Sequence, residues 1–158
     1  MAKYFKCPDV PTNDWPRLFL AGGISNCPDW QKDVAEKLLK DLNKYALNIV
    51  NPRRDVLPNP AAQIHWEYEQ IKFADYILFW FPAETLCPIT LFEYGKELGR
   101  SNKKIFAGFH PDYARKLDLI VQTERYNQDS FGFYDKIDLV MSIDGLCKQV
   151  AEYMENYF

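Results

Sequence analysis

Two glutamates stand in settings that are unusual for surface carboxylates. Glu67 shares one face of a predicted helix with Ile64 and Ile71, because these residues are spaced three and four apart. Glu93 lies in the first turns of another predicted helix, where the helix dipole favours the ionised carboxylate. Two carboxyl groups that converge at the ends of strands are the minimal equipment for breaking a glycosidic bond. The pair therefore predicts an enzyme that acts on a sugar–base bond.

Each glutamate also has a simpler interpretation, which the sequence leaves open. Glu67 is then a residue at the rim of its helix, paired with an arginine such as Arg53 or Arg54. A carboxylate on an apolar helix face costs free energy unless it is paired, hydrogen-bonded or used in chemistry. Glu93 is then an ordinary acidic residue in the first turn of a helix, which is a common feature.

Candidate substrate-binding residues follow the first predicted strand. Gly22, Gly23 and Ile24 come directly after it, where glycine lets a ligand approach the backbone and exposed N–H groups can bind a base or a hydroxyl. The alternative is a plain turn from strand to helix. Trp30 lies near the mouth of the predicted site and is a candidate for contact with the base, although a core tryptophan is the commoner case.

A basic segment follows the second predicted strand. Asn51 and Arg53 lie there, beside Arg54. A guanidinium group can bind a phosphate or a carboxylate through two hydrogen bonds, so these residues are also candidates for substrate binding. The same arginines could instead anchor Glu67 or lie in water.

Composition and charge restrict the possible partners. With 158 residues the chain is expected to form one domain with its own core. A net charge of −3 and an isoelectric point near 5.4 argue against a general nucleic-acid or membrane-surface binder. No apolar run is long enough to span a bilayer, and the N-terminus lacks the apolar core of a signal peptide, so we expect a cytoplasmic protein. Four scattered cysteines without metal-ligand spacing indicate free thiols.

Strand and helix patterns alternate along the chain. Residues 1–16 are expected to be an irregular N-terminal arm, and residues 17–158 a single domain. Strands are predicted at 17–21, 47–50, 76–81, 104–108 and 119–123, helices at 28–43, 61–74, 89–99 and 143–158, and a loop at 131–134. This alternation predicts an α/β fold with a five-stranded parallel sheet in the order 2-1-3-4-5 and helices on both faces. Ligands of such folds bind beyond the carboxyl ends of the strands, near the topological switch point.

Six segments together carry a family resemblance. They are residues 19–24, 29–31, 51–54, 63–67, 74–79 and 81–90. Their combination resembles the nucleoside 2-deoxyribosyltransferase-like family over about residues 17–127. The resemblance implies a flavodoxin-like (Rossmann-like) three-layer fold. It also implies a homo-oligomer, as is usual in the family, with sites near subunit interfaces.

The resemblance further implies roles for particular residues. Glu93 matches the nucleophile of the family, and Glu67 matches an acidic residue that supports protonation of the base. Asp75 matches an aspartate that opens a strand, and its role is mainly structural. Cys87 and Pro88 lie in the segment before the nucleophile, and we include both among the substrate-binding residues.

Two residues depart from the pattern of the wider superfamily. Its transferases and N-glycosidases carry a tyrosine in the first strand that orients the nucleophile, and Phe19 stands there without a hydroxyl. Six residues before the nucleophile they carry an aspartate that binds sugar hydroxyls or a serine that contacts the phosphate, and Cys87 stands there. The departures leave open the sugar contacts and the choice between nucleoside and nucleotide.

These observations lead to a hypothesis of double displacement. Glu93 attacks C1' of a deoxyribonucleoside, Glu67 delivers a proton toward the leaving base, and the sugar passes to another base. No metal or organic cofactor is needed. The runner-up is hydrolysis of a (deoxy)nucleoside 5'-monophosphate or an NAD-like nucleotide, with Arg53 and Arg54 on the phosphate. A catalytically weak nucleotide-binding module and a structural oligomer without ligand are the further alternatives.

Overall fold

Within the described part of the chain, five parallel strands form the centre of the molecule. The computed structural model describes residues 1–56, 59–129 and 136–158. The strands are β1 (Lys3–Lys6), β2 (Arg17–Gly22), β3 (Asn48–Asn51), β4 (Tyr76–Phe81) and β5 (Lys104–Phe109), in the order β1-β3-β2-β4-β5. All pairings between them are parallel, and β3, β4 and β5 are buried along nearly their whole length. Burial on both faces explains the largely apolar sequences of these strands.

Five helices of the described residues flank the sheet. They are α1 (Trp30–Asp41), α2 (Pro60–Phe73), α3 (Pro88–Arg100), α4 (Lys116–Asp129) and α5 (Ile143–Tyr157). Asp29 caps α1 by accepting a hydrogen bond from the Lys32 N–H at 3.2 Å, and Asn59 caps α2 by accepting from the Ala61 N–H at 2.9 Å. Both α2 and α3 begin with a proline, whose missing N–H has no helical partner to lose at that position.

An apolar core covers each face of the sheet. On one face, α1 and α5 pack against the strands through residues such as Leu38 and Val150, which are fully buried. On the other face, α2, α3 and α4 contribute Ile71, Tyr94 and Leu119. The result is a three-layer α/β sandwich, which confirms the predicted fold class.

The predicted strand order is confirmed for four strands and wrong for the fifth. The four strands from β2 to β5 occur in the expected arrangement. Residues 119–123 were expected to form the fifth strand, but they lie inside α4. Leu119 and Thr123 are buried at a helical spacing of four, whereas Val121 is 45% exposed. A short apolar run of this kind does not by itself distinguish a strand from a helix.

The remaining strand comes from the N-terminus instead. Lys3–Lys6 pairs in parallel with Asn48–Asn51 at the edge of the sheet. The expectation of an irregular arm over residues 1–16 is therefore wrong for these four residues. Their sequence has two adjacent aromatic residues between charged ends, which suits an edge strand that is paired on one side only. The domain boundary at residue 17 stays a prediction.

The direction of winding changes at β2. The next strand, β3, lies on one side of β2, and β4 lies on the other. The carboxyl ends of β2 and β4 therefore frame the topological switch point, where folds of this type bind ligands. The loop expected at residues 131–134 lies outside the described residues. None of the helices in the described ranges has the length and apolar character needed to cross a bilayer.

Candidate active site

Glu67 is partly buried on α2 and is held from the same helix. The Gln63 Nε2 group, one turn earlier, donates a hydrogen bond to Glu67 Oε1 at 2.6 Å. Burial raises the pKa of the Glu67 carboxyl, whereas the Gln63 hydrogen bond and the positive charge of Arg54 lower it. Burial is the largest of these effects, so the net direction is upward.

Gln63 connects Glu67 to two other parts of the chain. Its Nε2 group also donates to the Pro52 carbonyl at 2.9 Å. Its Oε1 atom accepts a hydrogen bond from Arg54 Nε and one from the Cys7 thiol at 3.6 Å. Of the two arginines that the sequence suggested as partners of Glu67, Arg54 is the nearer one. Arg54 bonds to Gln63, and Gln63 in turn bonds to Glu67.

Glu93 is partly buried on α3 and has a strongly perturbed carboxyl group. The pKa of Glu93 is raised from 4.5 to about 7, mainly by burial and next by the negative charge of Glu67. Lys96 opposes this effect and Glu97 adds to it. Glu93 is the sixth residue of α3 and lies beyond its first turn, where the helix dipole is weak, so burial sets the direction of its pKa and the carboxyl is only partly ionised near neutral pH.

The two carboxyl groups titrate as a pair. Since the charge of Glu67 disfavours ionisation of Glu93, one proton is retained by the pair until the pH approaches about 7. A retaining glycosidic reaction needs this singly protonated state, with one carboxylate to attack carbon and one carboxylic acid to protonate the leaving group.

The glycine turn at the end of β2 has no room for side chains. A Cβ atom on Gly22 would lie 2.3 Å from the Trp30 ring atom Cζ2. A Cβ atom on Gly23 would lie 3.0 Å from Cys87 Sγ and 2.8 Å from Thr85 Cγ2. Glycine is therefore required here by the close approach of α1 and the loop after β4.

Trp30 and Gln31 fix the carbonyl group of this turn. Trp30 Nε1 donates to the Gly23 carbonyl at 2.9 Å, and Gln31 Nε2 donates to the same oxygen at 3.2 Å. Both side chains are buried, with Trp30 only 2% exposed. Trp30 therefore supports the turn from within the core, and its ring offers no open face to a ligand in the isolated chain.

Arg53 is bound within the protein. Its Nε group donates to Gln31 Oε1 at 2.7 Å and lies 3.0 Å from Asp29 Oδ1, and a terminal nitrogen donates to the Pro28 carbonyl at 2.7 Å. The backbone N–H of Arg53 donates to Asn51 Oδ1 at 2.9 Å, and Asn51 is itself buried. Asn51 and Arg53 thus tie the end of β3 to the start of α1.

The other predicted binding residues lie beside the glycine turn or at the start of α3. Cys87 is 4% exposed and has left-handed backbone geometry, with φ of 51°. Burial raises the pKa of its thiol to about 11, so the thiol stays protonated. Ile24 follows the turn and is partly exposed, and Pro88 is exposed as the first residue of α3.

Phe19 takes the place of the tyrosine expected in the first strand of the family domain. It is 2% exposed on β2, and its ring centroid lies 6.3 Å from that of Trp66. The Trp66 indole donates to the Pro8 carbonyl at 3.1 Å. At the position of the expected tyrosine, Phe19 therefore makes an aromatic contact with Trp66 and offers no hydroxyl group to a neighbouring carboxylate.

The predicted residues fall into two neighbouring clusters. The first surrounds the glycine turn and contains Gly22, Gly23, Trp30, Asn51, Arg53 and Cys87. The second joins Glu67 to Glu93 by charge and includes residues of α2, α3 and the loop after β3. Arg53 belongs to the first cluster and Arg54 reaches the second, so adjacent arginines connect the two.

Two glutamines of these clusters were not identified from the sequence. Gln31 is fully buried and bridges Arg53 to the glycine turn. Gln63 holds Glu67. The spacing of four residues between Gln63 and Glu67 was the available signal, because side chains at that spacing meet on a helix surface.

A separate groove of about 410 Å³ lies between α3 and α4. Leu91, Tyr94, Leu98 and Tyr126 are among its lining residues, and its rim carries charged side chains. Neither Glu67 nor Glu93 lines it. The candidate active site is therefore identified from the chemistry of its side chains, and it does not coincide with this groove.

Comparisons with known proteins show the family of the chain. A family model described as nucleoside 2-deoxyribosyltransferase like matches residues 15–113, which include both glutamates and the glycine turn. No curated protein sequence matches the chain. Among solved structures, the NAD(P)H:quinone oxidoreductase from Methanothermobacter marburgensis is similar over 89% of this chain and 95% of its own, with 12% identity and a TM-score of 0.40. Because the family model covers more than half of its length, the chain belongs to the nucleoside 2-deoxyribosyltransferase-like family.

Proposed function

We propose that this protein cleaves the N-glycosidic bond of a deoxyribonucleoside and transfers the sugar to another base. The observation that carries the proposal is the charge-coupled pair of Glu67 and Glu93, partly buried on adjacent helices of a chain that belongs to this family. A shared proton gives the pair both a carboxylate and a carboxylic acid at neutral pH.

The first chemical step uses both members of the pair. A Glu93 oxygen forms a bond to C1' of the sugar while the bond from C1' to the base nitrogen breaks, and the bonding electrons leave with the base. Glu67 gives its proton to the base, which departs neutral. The positive charge that develops on the sugar ring is stabilised by the ionised Glu93.

The second step returns the enzyme to its starting state. A nitrogen of another base attacks C1', the ester bond to Glu93 breaks, and the proton of the incoming base passes to Glu67. If water takes the place of the base, the same intermediate gives free sugar and the enzyme is a hydrolase. Retention of configuration requires the two carboxyl groups to lie about 5 Å apart around the reacting bond.

The contacts of the arginines favour a nucleoside over a nucleotide. Arg53 is committed to Asp29, Gln31 and Pro28, and the Nε group of Arg54 is committed to Gln63. Cys87 presents a buried neutral thiol rather than an anion-binding group. The contacts of Arg53 weaken the alternative of a nucleotide N-glycosidase in which Arg53 binds the phosphate.

The glycine turn is the proposed site for the base. Gly22, Gly23 and Ile24 lie at the switch point of the sheet, and close packing holds the turn rigidly. The turn brings backbone groups within reach of a planar ligand without an intervening side chain. Trp30 contributes by holding the Gly23 carbonyl rather than by stacking on the base.

A homo-oligomer is the assembly that best fits the surface near the pair. Five large apolar side chains on α2 and α3 are more than 45% exposed: Ile64, Tyr68, Phe73, Ile89 and Phe92. Lys96 Nζ lies 5.2 Å from the Tyr68 ring and 5.8 Å from the Phe92 ring, so the two helices present them together. Exposed apolar groups of this kind commonly mark an interface. Light scattering on the pure protein should show a dimer or larger species, and a monomer at micromolar concentration contradicts the proposed oligomer.

A cytoplasmic location stays a prediction.

Product analysis tests the proposal. The protein is incubated with deoxyadenosine, deoxycytidine and their 5'-monophosphates, with and without a free acceptor base, and products are separated by liquid chromatography. A new nucleoside that appears only with acceptor is expected. Release of free base in the absence of an acceptor would show that the protein is a hydrolase and not a transferase. Faster turnover of the monophosphates would overturn the argument from the arginines, and no turnover of any substrate would overturn the proposal and favour a binding module.

A further inference from the structure

The carboxamide of Gln63 is fixed in one orientation by its neighbours. Its Oε1 atom faces Arg54 Nε and the Cys7 thiol, and both of these groups are donors at that contact. A flipped carboxamide would direct its NH2 group at a guanidinium, where no hydrogen bond can form. The oxygen must therefore lie on the Arg54 side, and the NH2 group on the opposite side.

The two N–H bonds of Gln63 are consequently both directed at acceptors. One points to the Pro52 carbonyl at 2.9 Å, which can only accept. The other points to Glu67 Oε1 at 2.6 Å. Glu67 Oε1 must accept this bond, and in a protonated carboxyl group the carbonyl oxygen accepts more strongly than the hydroxyl oxygen. The bond therefore favours Oε1 as the carbonyl oxygen and Oε2 as the protonated one. Within residues 1–56, 59–129 and 136–158, the structure shows no hydrogen-bond partner for Glu67 Oε2.

We propose that Gln63 is a positioning residue that keeps the acidic proton of Glu67 off Oε1 and places it on Oε2. Oε2 is then the atom that delivers the proton to the leaving base. The placement follows from the hydrogen bonds alone, whereas its use in catalysis rests on the proposed function.

A residue outside the matched family region completes this arrangement. Cys7 follows β1 and is 3% exposed, and its thiol reaches Gln63 Oε1. The neighbouring Pro8 carbonyl accepts a hydrogen bond from Trp66 on α2. Two consecutive residues after β1 thus contact α2, one at Gln63, a turn before Glu67, and one at Trp66, next to Glu67.

The charged surroundings of Glu67 come from three elements besides its own helix. Arg54 follows β3 and favours the ionised carboxylate. Glu93 on α3 carries the opposing negative charge, and Lys96 and Glu97 act on Glu93. The Cys7 thiol stays neutral, because burial raises its pKa. The donor that touches the carboxylate itself is Gln63.

Substitution by methionine isolates the contribution of the carboxamide. Gln63→Met keeps the length of the side chain and removes both its donor and its acceptor. Gln70→Met is the matched control, because Gln70 lies on the same helix, is 4% exposed and has an Oε1 atom without a partner among the described residues. Carbon-13 resonances of the glutamate carboxyl groups are followed as a function of pH, and Glu67 is assigned by its disappearance in Glu67→Gln.

The expected result is an upward shift of the Glu67 pKa by about one unit in Gln63→Met, since a hydrogen bond to the charged form is lost. Gln70→Met should leave this pKa within about 0.3 unit of its original value, since it touches no titrating group by a hydrogen bond. In turnover, Gln63→Met should lower kcat with little change in KM and move the basic limb of the kcat/KM profile to higher pH. An unchanged Glu67 pKa, or an equal shift in Gln70→Met, overturns the proposal.

Two further outcomes keep this test separate from the proposed function. A shifted Glu67 pKa in a protein that turns over no nucleoside supports the Gln63 hydrogen bond on which the placement of the proton rests, and counts against the activity. Turnover with an unshifted pKa supports the activity and overturns the placement. If Gln63→Met does not fold, Gln63→Glu replaces it. This variant keeps the Arg54 contact, adds a like charge, and should raise the Glu67 pKa at least as far.

Discussion

Replacing the proposed nucleophile should make the protein more stable at neutral and alkaline pH. Folding raises the pKa of Glu93 from 4.5 to about 7, mainly by burial. The folded protein therefore binds a proton more tightly at this site than the unfolded chain, and stability present at low pH is lost as the pH rises from about 4.5 to about 7. The gap between the two pKa values corresponds to about 3 kcal/mol of unfolding free energy once the pH exceeds 8.

Glu93→Gln removes this penalty because its carboxamide is neutral at every pH. The variant should exceed the original protein by about 3 kcal/mol at pH 8.5 but by only about 1 kcal/mol at pH 5, where the folded carboxyl is already protonated. For a chain of this size, 3 kcal/mol corresponds to roughly 6–12 °C in Tm. The pH-dependent part of the difference is the decisive quantity, since changes in packing are the same at both pH values.

Urea unfolding followed by circular dichroism at pH 5 and pH 8.5 measures the effect. Glu69→Gln is the matched control, because Glu69 is exposed on α2 and its substitution removes one negative charge without relieving burial. The control should change stability by less than about 0.5 kcal/mol at both pH values. The reasoning is refuted if the stability gain of Glu93→Gln does not grow between pH 5 and pH 8.5, or if Glu69→Gln shows the same growth.

Two further predictions concern the pair and the glycine turn. Glu67→Gln should lower the pKa of Glu93 toward 4.5, because it removes a negative charge that raises it; a carbon-13 titration of Glu93 that is unchanged in this variant contradicts the coupling. Gly22→Ala should destabilise the fold by at least about 2 kcal/mol, since its Cβ would lie 2.3 Å from the Trp30 ring. Gly95→Ala, with open space around its Cβ on α3, should instead stabilise the fold by up to about 1 kcal/mol in urea unfolding. Equal effects of the two alanines would contradict the packing described for the turn.

The layers and most of the sheet follow from local patterns in the sequence. The strands Arg17–Gly22, Tyr76–Phe81 and Lys104–Phe109 are apolar runs between helical segments, and such alternation leaves few arrangements other than a parallel sheet. The edge strand Lys3–Lys6 carries no comparable signal. It is short and partly charged, and only its pairing with β3 makes it a strand.

The two carboxylates could be identified from residue types, but their protonation could not. The start of a helix favours an ionised carboxylate, and the sequence predicts this effect for Glu93, but Glu93 is the sixth residue of α3 and lies beyond its first turn. Burial and the charge of Glu67 act from other elements and outweigh it, so the direction of the pKa depends on the tertiary structure. The role of Gln63 was hidden for the same reason, since Arg54 and Cys7, which orient it, are distant in the chain or on another element.

The roles of the two glutamates remain distinguishable by chemistry. In the free protein the pKa of Glu93 is raised to about 7, and burial also raises the pKa of Glu67, against the opposing effects of Gln63 and Arg54. Glu93 must therefore give up its proton before it can attack C1', and Glu67 must receive one before the base can leave. Rearrangement of one shared proton on substrate binding meets both requirements. A reversal of roles, with Glu67 as nucleophile, would need no such rearrangement, which makes the identity of the attacking residue the central question.

Trapping the glycosyl-enzyme answers that question most directly. A deoxyribonucleoside with fluorine at C2' slows the breakdown of the intermediate, because fluorine disfavours the positive charge that develops on the sugar. The protein is quenched in acid after reaction, and the mass of the intact chain and of its peptides locates the added sugar. The account predicts one sugar on Glu93 and none on the Glu93→Gln variant. A sugar on Glu67, or turnover of the natural nucleoside by Glu93→Gln at the original rate, would contradict it.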